Sequence, residues 1–81
     1  MARVHLSGEM RRLAGDRSII EVDARTVTEV VAVLERDYPE LGVRIGDGMT
    51  VALDGELVPN ADFHPVEADT DIHFVPSIGG G

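Results

Sequence analysis

Chemistry has few places to reside in this sequence. Its 81 residues include no cysteine and no lysine. That removes disulfides, thiolate nucleophiles, thiolate metal ligands and lysine Schiff bases together. The basic residues are Arg3, Arg11, Arg12, Arg17, Arg25, Arg36 and Arg44, every one a guanidinium. His5, His64 and His73 are scattered, with no pair at the helical or turn spacing of metal ligands, so they read as surface residues. His5 and His73 occupy outward positions of predicted strands, where they can approach each other. Glu67, Asp69 and Asp71 crowd a single turn, too local and too exposed to act as a carboxylate pair with separated pKa values. No metal site and no bound cofactor is expected.

What remains is the segment Ser77-Ile78-Gly79-Gly80-Gly81. A phosphate-cradling glycine loop lies between a strand and the start of a helix, and here no helix follows. A frayed terminus or an artificial glycine tail is one reading. The other is chemical. Without Cβ atoms, a Gly-Gly end can thread a narrow channel in conformations that other residues resist. It carries an unhindered carboxylate, inert until activated, for example as an acyl adenylate that a sulfur or amine nucleophile then attacks. In a chain without cysteine, this is the place where sulfur could be held covalently.

The elements behind that tail are legible from periodicity. Ala2 to Leu6 alternates with period two, as a half-buried strand does. Met10, Leu13 and Ala14 suggest a short helical piece before the Gly15-Asp16 turn. Ile20 to Ala24 alternates again, and the two strands are expected to pair antiparallel. Thr26-Val27-Thr28-Glu29 fits a capping box, opening a helix whose apolar stripe is Val27, Val30, Val31, Leu34, Tyr38 and Leu41. Pro39 stops that helix near Asp37 or Tyr38. Met49 to Leu53 is a strand, Asp54-Gly55 a tight turn, and Glu56 to Val58 its short partner. Residues 59–71 read as an acidic loop anchored by Phe63 and Val66, and Ile72 to Val75 as the last strand, ended by Pro76. The order is β-β-α-β-β-β with one amphipathic helix, an α+β sheet wrapping that helix.

Length and charge bound the rest. The chain suits one domain with a single core. A net charge of −8 opposes nucleic acid and anionic membrane, and favours a basic protein surface as partner. No apolar run reaches the roughly 20 residues that span a bilayer, and the N-terminal residues do not form a signal peptide. A cytoplasmic location is the expectation.

Several of these segments together resemble the MoaD/ThiS family of ubiquitin-like sulfur carriers. Val51-Ala52-Leu53-Asp54-Gly55-Glu56 is similar to the family's V-A-V-N-G-E turn. Arg12-Leu13-Ala14-Gly15 is similar to the L-R-E-L-A-G segment of molybdopterin synthase small subunits. Thr26-Val27 and Tyr38-Pro39-Glu40-Leu41 bracket the helix in the same way. The close from Asp71 to Gly81 resembles D-E-V-x-L-I-P-P-V-S-G-G, with Ser77 at the second proline and Gly79 at the Ser or Ala position.

The resemblance implies a β-grasp fold, as in ubiquitin: about five mixed strands around one main helix over 1–76, and a flexible tail over 77–81. It implies that Gly81 bears an adenylate and then a thiocarboxylate, and that Gly80 gives clearance. A ubiquitin-activating-type adenylating enzyme supplies ATP and magnesium; the acceptor is the large subunit of molybdopterin synthase or another sulfur-acceptor enzyme. Leu57, Phe74, Pro76, Ile78 and Gly79 are the expected docking contacts, although Phe74 also suits the core. Molybdopterin synthesis is the branch that the Arg12 to Gly15 segment and the chain length favour. Thiamine, cysteine and tRNA thiolation, protein modification, and a plain interaction module are the alternatives.

Overall fold

The computed structural model describes residues 1–46 and 48–76; the tail expected over 77–81 lies outside the described residues. Strand β1 (Ala2–His5) buries Ala2 and Val4 and turns Arg3 and His5 outward, as its alternation dictates. Helix α1 (Gly8–Leu13) follows, with Met10 buried. Gly15 and Asp16 then take φ of 65° and 66° in succession. That left-handed pair suits Gly and Asp and returns the chain to β2 (Ile19–Val22), antiparallel to β1.

Helix α2 (Val27–Asp37) starts as its capping residues dictate. Glu29 N–H donates to Thr26 Oγ1 at 3.3 Å, while the Glu29 carboxylate accepts from Arg25 N–H at 3.1 Å, one residue before the cap. The loop of residues 59–70 closes over the same end. Val27 N–H donates to the His64 carbonyl at 3.1 Å, and Thr28 N–H to that of Asp62 at 2.9 Å. The first helical amides are therefore all satisfied. Val27, Val30 and Leu34 lie buried against the sheet, each stabilising by about 1.5–3 kcal/mol.

Pro39 ends α2 as expected, but it also opens a helix that the sequence reading does not contain, α3 (Pro39–Gly46). Proline at the first helical position is well placed, since its missing N–H has no intrahelical role. Leu41 and Ile45 are buried. So Leu41 belongs to α3's own apolar face and not to the stripe of α2. The two helices approach closely at Gly42, where a Cβ would lie 2.5 Å from Glu35 Cγ and 2.8 Å from Glu35 Cα.

Strands β3 (Met49–Leu53) and β4 (Glu56–Val58) form the predicted hairpin, with Asp54 and Gly55 at φ 49° and 85°. Two positive φ values in a two-residue turn match the right-handed twist of the strands. In the following loop Val66 is buried, whereas Phe63 is 85% exposed. Phe63 is thus no anchor; Ala61 and Thr70 take that role, at 7% each. Strand β5 (Asp71–Pro76) completes a five-stranded sheet of order β2-β1-β5-β3-β4. It runs parallel to β1 and antiparallel to β3. Val4, Val22, Val30, Leu34, Leu41 and Ile72 are fully buried between sheet and helices.

Candidate functional site

β5 is the central strand, and it leads to the glycine segment. Its register with β3 is fixed along the whole of β3, from Leu53 opposite Ile72 to Met49 opposite Pro76. Ile72 and Phe74 are buried, at 0% and 7% exposure, so the strand cannot slide without exposing core. This placement corrects the expectation that Phe74 contacts a partner: its ring belongs to the core. Ile78, Gly79, Gly80 and Gly81 lie outside the described residues.

The root of the tail has distinct surroundings on the two faces of the sheet. On the face away from the helices, Val75 pairs with Thr50, and Leu57 stands opposite Ala52. Thr50, Leu57, Val75 and Pro76 line a shallow apolar groove. Leu57 is 60% exposed. On the helix face, Met10, Met49, Phe74 and Pro76 line a second depression, rimmed by Arg44 and Glu9. Arg44 Nε donates to Glu9 at 2.8 Å. Residues Thr50, Val75 and Arg44 are absent from the sequence reading of the site. Arg44 was discoverable: Pro39, Glu40, Leu41, Ile45 and Arg44 together carry the start, stripe and end charges of a short helix.

The other end of β5 is polar. Arg3 Nε donates to Asp71 Oδ1 at 2.9 Å, and His5 Nε2 lies 2.8 Å from the same oxygen. The Arg3 hydrogen bond first, and that of His5 second, hold the Asp71 carboxyl at about 2, below its ordinary 3.8. His5 and His73 do meet, as strand alternation suggested, with centroids 4.7 Å apart and rings within 5° of parallel. Stacked rings aim their in-plane nitrogen lone pairs side by side and not at a common point. Among the described residues, no group of three or more His, Asp or Glu side chains could hold a metal ion. None of the described helices is long and apolar enough to cross a membrane.

No buried side-chain polar atom lacks a partner among the described residues. A rigid central strand leads toward the glycine segment, beside an apolar groove and far from the polar lock at Asp71.

Known proteins carry the same architecture. A chain in the crystal structure of the BexX/CysO complex from Amycolatopsis orientalis superposes with a TM-score of 0.84 at 18% identity, over 100% of both chains. Mycobacterium tuberculosis CysO gives 0.83 at 13% identity, over 96% of this chain and 100% of that one. Small archaeal modifier protein 1 from Methanosarcina acetivorans gives 0.81 at 20% identity, over 99% and 95%. At such identities the likeness establishes the β-grasp fold. No curated protein matches by sequence. The family model described as the ThiS family matches residues 4–81, from within β1 through the central strand and every glycine of the tail, and the chain accordingly belongs to the ThiS family of ubiquitin-like sulfur carriers.

Proposed function

We propose that this chain carries sulfur as a thiocarboxylate on Gly81. The observation that supports this most is the family match running through Gly81 in a sequence that has no cysteine to carry sulfur otherwise. A ubiquitin-activating-type enzyme, using ATP and magnesium, joins AMP to the Gly81 carboxylate and releases pyrophosphate. The terminal sulfur of a persulfide then displaces AMP, and a thiol cleaves the resulting acyl disulfide to leave the thiocarboxylate. The chain itself supplies no acid, base or metal to these steps. It supplies a narrow end and a docking face.

That face is the groove of Thr50, Leu57, Val75 and Pro76 at the tail root. The tail alone is too small to hold a partner, because stable interfaces bury on the order of 1,200–2,000 Å². Among acceptors, the Arg12 to Gly15 segment supports the large subunit of molybdopterin synthase. A second reading rests on the likeness to small archaeal modifier protein 1: the activated Gly81 is transferred to an amine of a target protein.

Mass spectrometry of the C-terminal peptide from native cells tests both. A thiocarboxylate supports the carrier and an isopeptide-linked Gly-Gly remnant supports the modifier. An unmodified carboxylate, persisting after incubation with the cognate activating enzyme, ATP and a sulfur donor, overturns both.

A further inference from the structure

The sheet has two edges, and they differ in protection. β4 is three residues long and runs directly into Pro59. β2 is outermost at the other side, paired only with β1. Leu6 N–H donates to the Ser18 carbonyl at 2.8 Å, and Arg3 N–H turns the other way, to Thr70, at 2.9 Å. Those two bonds fix the alternation. Ser18, Ile20 and Val22 direct their N–H and C=O groups at β1, and Ile19 and Glu21 direct theirs at the open edge. Such a row is a template for another strand. The usual protections of proline, lysine and bulge are missing from it, and Ile19 is 47% exposed.

The side chains along this edge are complementary to themselves. Arg3, Arg17, Ile19 and Glu21 line one groove between β2 and α2, with Val33 and Tyr38 in its wall, and Arg3 stands opposite Glu21 within the chain. The Arg17 guanidinium has no hydrogen bond or ion pair among the described residues. If two copies pair antiparallel with Ile19 opposite Ile19, each Arg17 faces the Glu21 of the other copy. The outward N–H of Ile19 then meets the Ile19 carbonyl of its twin, twice. A register shifted by two sets Ile19 opposite Glu21 and forfeits both the apolar and the ionic match.

We propose that β2 is the interface of a two-fold dimer of this chain, formed by antiparallel β2–β2 addition in the Ile19–Ile19 register. The two sheets become one of ten strands. Leu57, on β4, lies at the opposite edge of each sheet, so both tail roots and both apolar grooves stay open. The assembly therefore presents two carrier ends related by a two-fold axis. The interface is smaller than the roughly 1,200 Å² of stable complexes, and a net charge of −8 on each copy opposes it. The dimer is consequently weak and favoured by moderate salt. At about 0.15 M ionic strength the Debye length is about 8 Å, which screens repulsion between the two bodies more than the direct Arg17–Glu21 contacts.

Sedimentation velocity on the full chain, up to about 1 mM to reach weak affinities, decides this. The expected result is a concentration-dependent monomer–dimer equilibrium, stronger at moderate than at low salt. Ile19→Lys is expected to give monomer with an unchanged circular dichroism spectrum, since Ile19 sits at the surface. Arg17→Glu and Glu21→Arg are each expected to weaken association roughly tenfold, and the double reversal to restore it, because opposed like charges repel across strands. A monomer at every concentration overturns the proposal. So does a dimer that Ile19→Lys leaves intact, or one that the double reversal fails to restore. Thiocarboxylate formation plays no part in the measurement, so its outcome is independent of the carrier reading.

Discussion

At its start, β5 is fastened by polar groups: Asp71 accepts from Arg3 and pairs with His5, its N–H donates to Asp54 Oδ1 at 2.9 Å, and its carbonyl accepts from Asp54 N–H at 2.8 Å. At its far end, five residues on, Pro76 has the ladder partner Met49 and a margin of apolar surface. Polar contacts are directional and set position; apolar surface left half-covered is what a partner can bury. One strand thus carries an anchor at one end and, in the proposed function, a delivery point at the other. Changes at the two ends should separate function from stability.

The largest effect is expected beyond Pro76. Deleting Gly81 displaces the carboxylate by up to about 3.3–3.6 Å, and misplacement of that order reduces reaction by roughly a hundredfold or more. ATP–pyrophosphate exchange with the activating enzyme should fall accordingly, also for Gly80→Val, with the thermal midpoint unchanged. Gly79→Ser should retain activity, because that position corresponds to the family's Ser or Ala. Full exchange after deletion of Gly81 would instead mean that the chain is trimmed before use.

Moving back into β5 reverses the pattern. Phe74→Ala removes a buried ring and should destabilise the fold by about 3–5 kcal/mol in urea unfolding. Leu57→Ala, at the exposed groove, should stay within about 0.5 kcal/mol, while Leu57→Glu should weaken binding of the activating enzyme. Equal stability losses at both positions would dissolve the distinction between core and docking face. Gly42→Ala should cost about 1–3 kcal/mol, because its Cβ would press on the Glu35 backbone. Differential scanning calorimetry reads that loss, and no change in adenylation should accompany it.

The apolar patterns that identified the strands and α2 were strong because each buries a regular stripe against one partner. α3 was hidden by the rule that proline ends a helix: the same Pro39 that stops α2 is well suited to begin the next one. Phe63 misled for a related reason. A large apolar side chain in a loop reads as an anchor, yet the loop is held by backbone bonds to α2 and by Ala61, Val66 and Thr70, leaving the ring outside. Phe74 and Leu57 show the limit of strand periodicity. Alternation puts them on opposite faces only once the register with β3 and β4 is known, and that register depends on contacts distant in sequence.

The smallest effect is expected at the anchor, and its sign follows from the protonation equilibrium. Asp71 titrates at about 2 in the folded chain, against an ordinary 3.8, chiefly through the Arg3 hydrogen bond and then that of His5. A carboxyl with a depressed folded pKa contributes stability that is fully present above its unfolded value. The contribution fades as pH falls from about 4 toward 2, where the folded carboxyl also takes a proton. Arg3 and Asp71 side chains are 44% and 39% exposed, so solvent screens the pair and the contribution is small. Asp37 is also held below its ordinary value, by its hydrogen bond from Arg36, so the wild-type curve alone cannot isolate Asp71. The informative quantity is the difference between wild type and Asp71→Asn. That difference should shrink between pH 4 and pH 2. It should also be smaller at 1 M salt, where the Debye length is about 3 Å. Parallel stability curves for the two proteins from pH 5 down to pH 2 would show that the anchor is steric packing of the strand start and not the charge on Asp71.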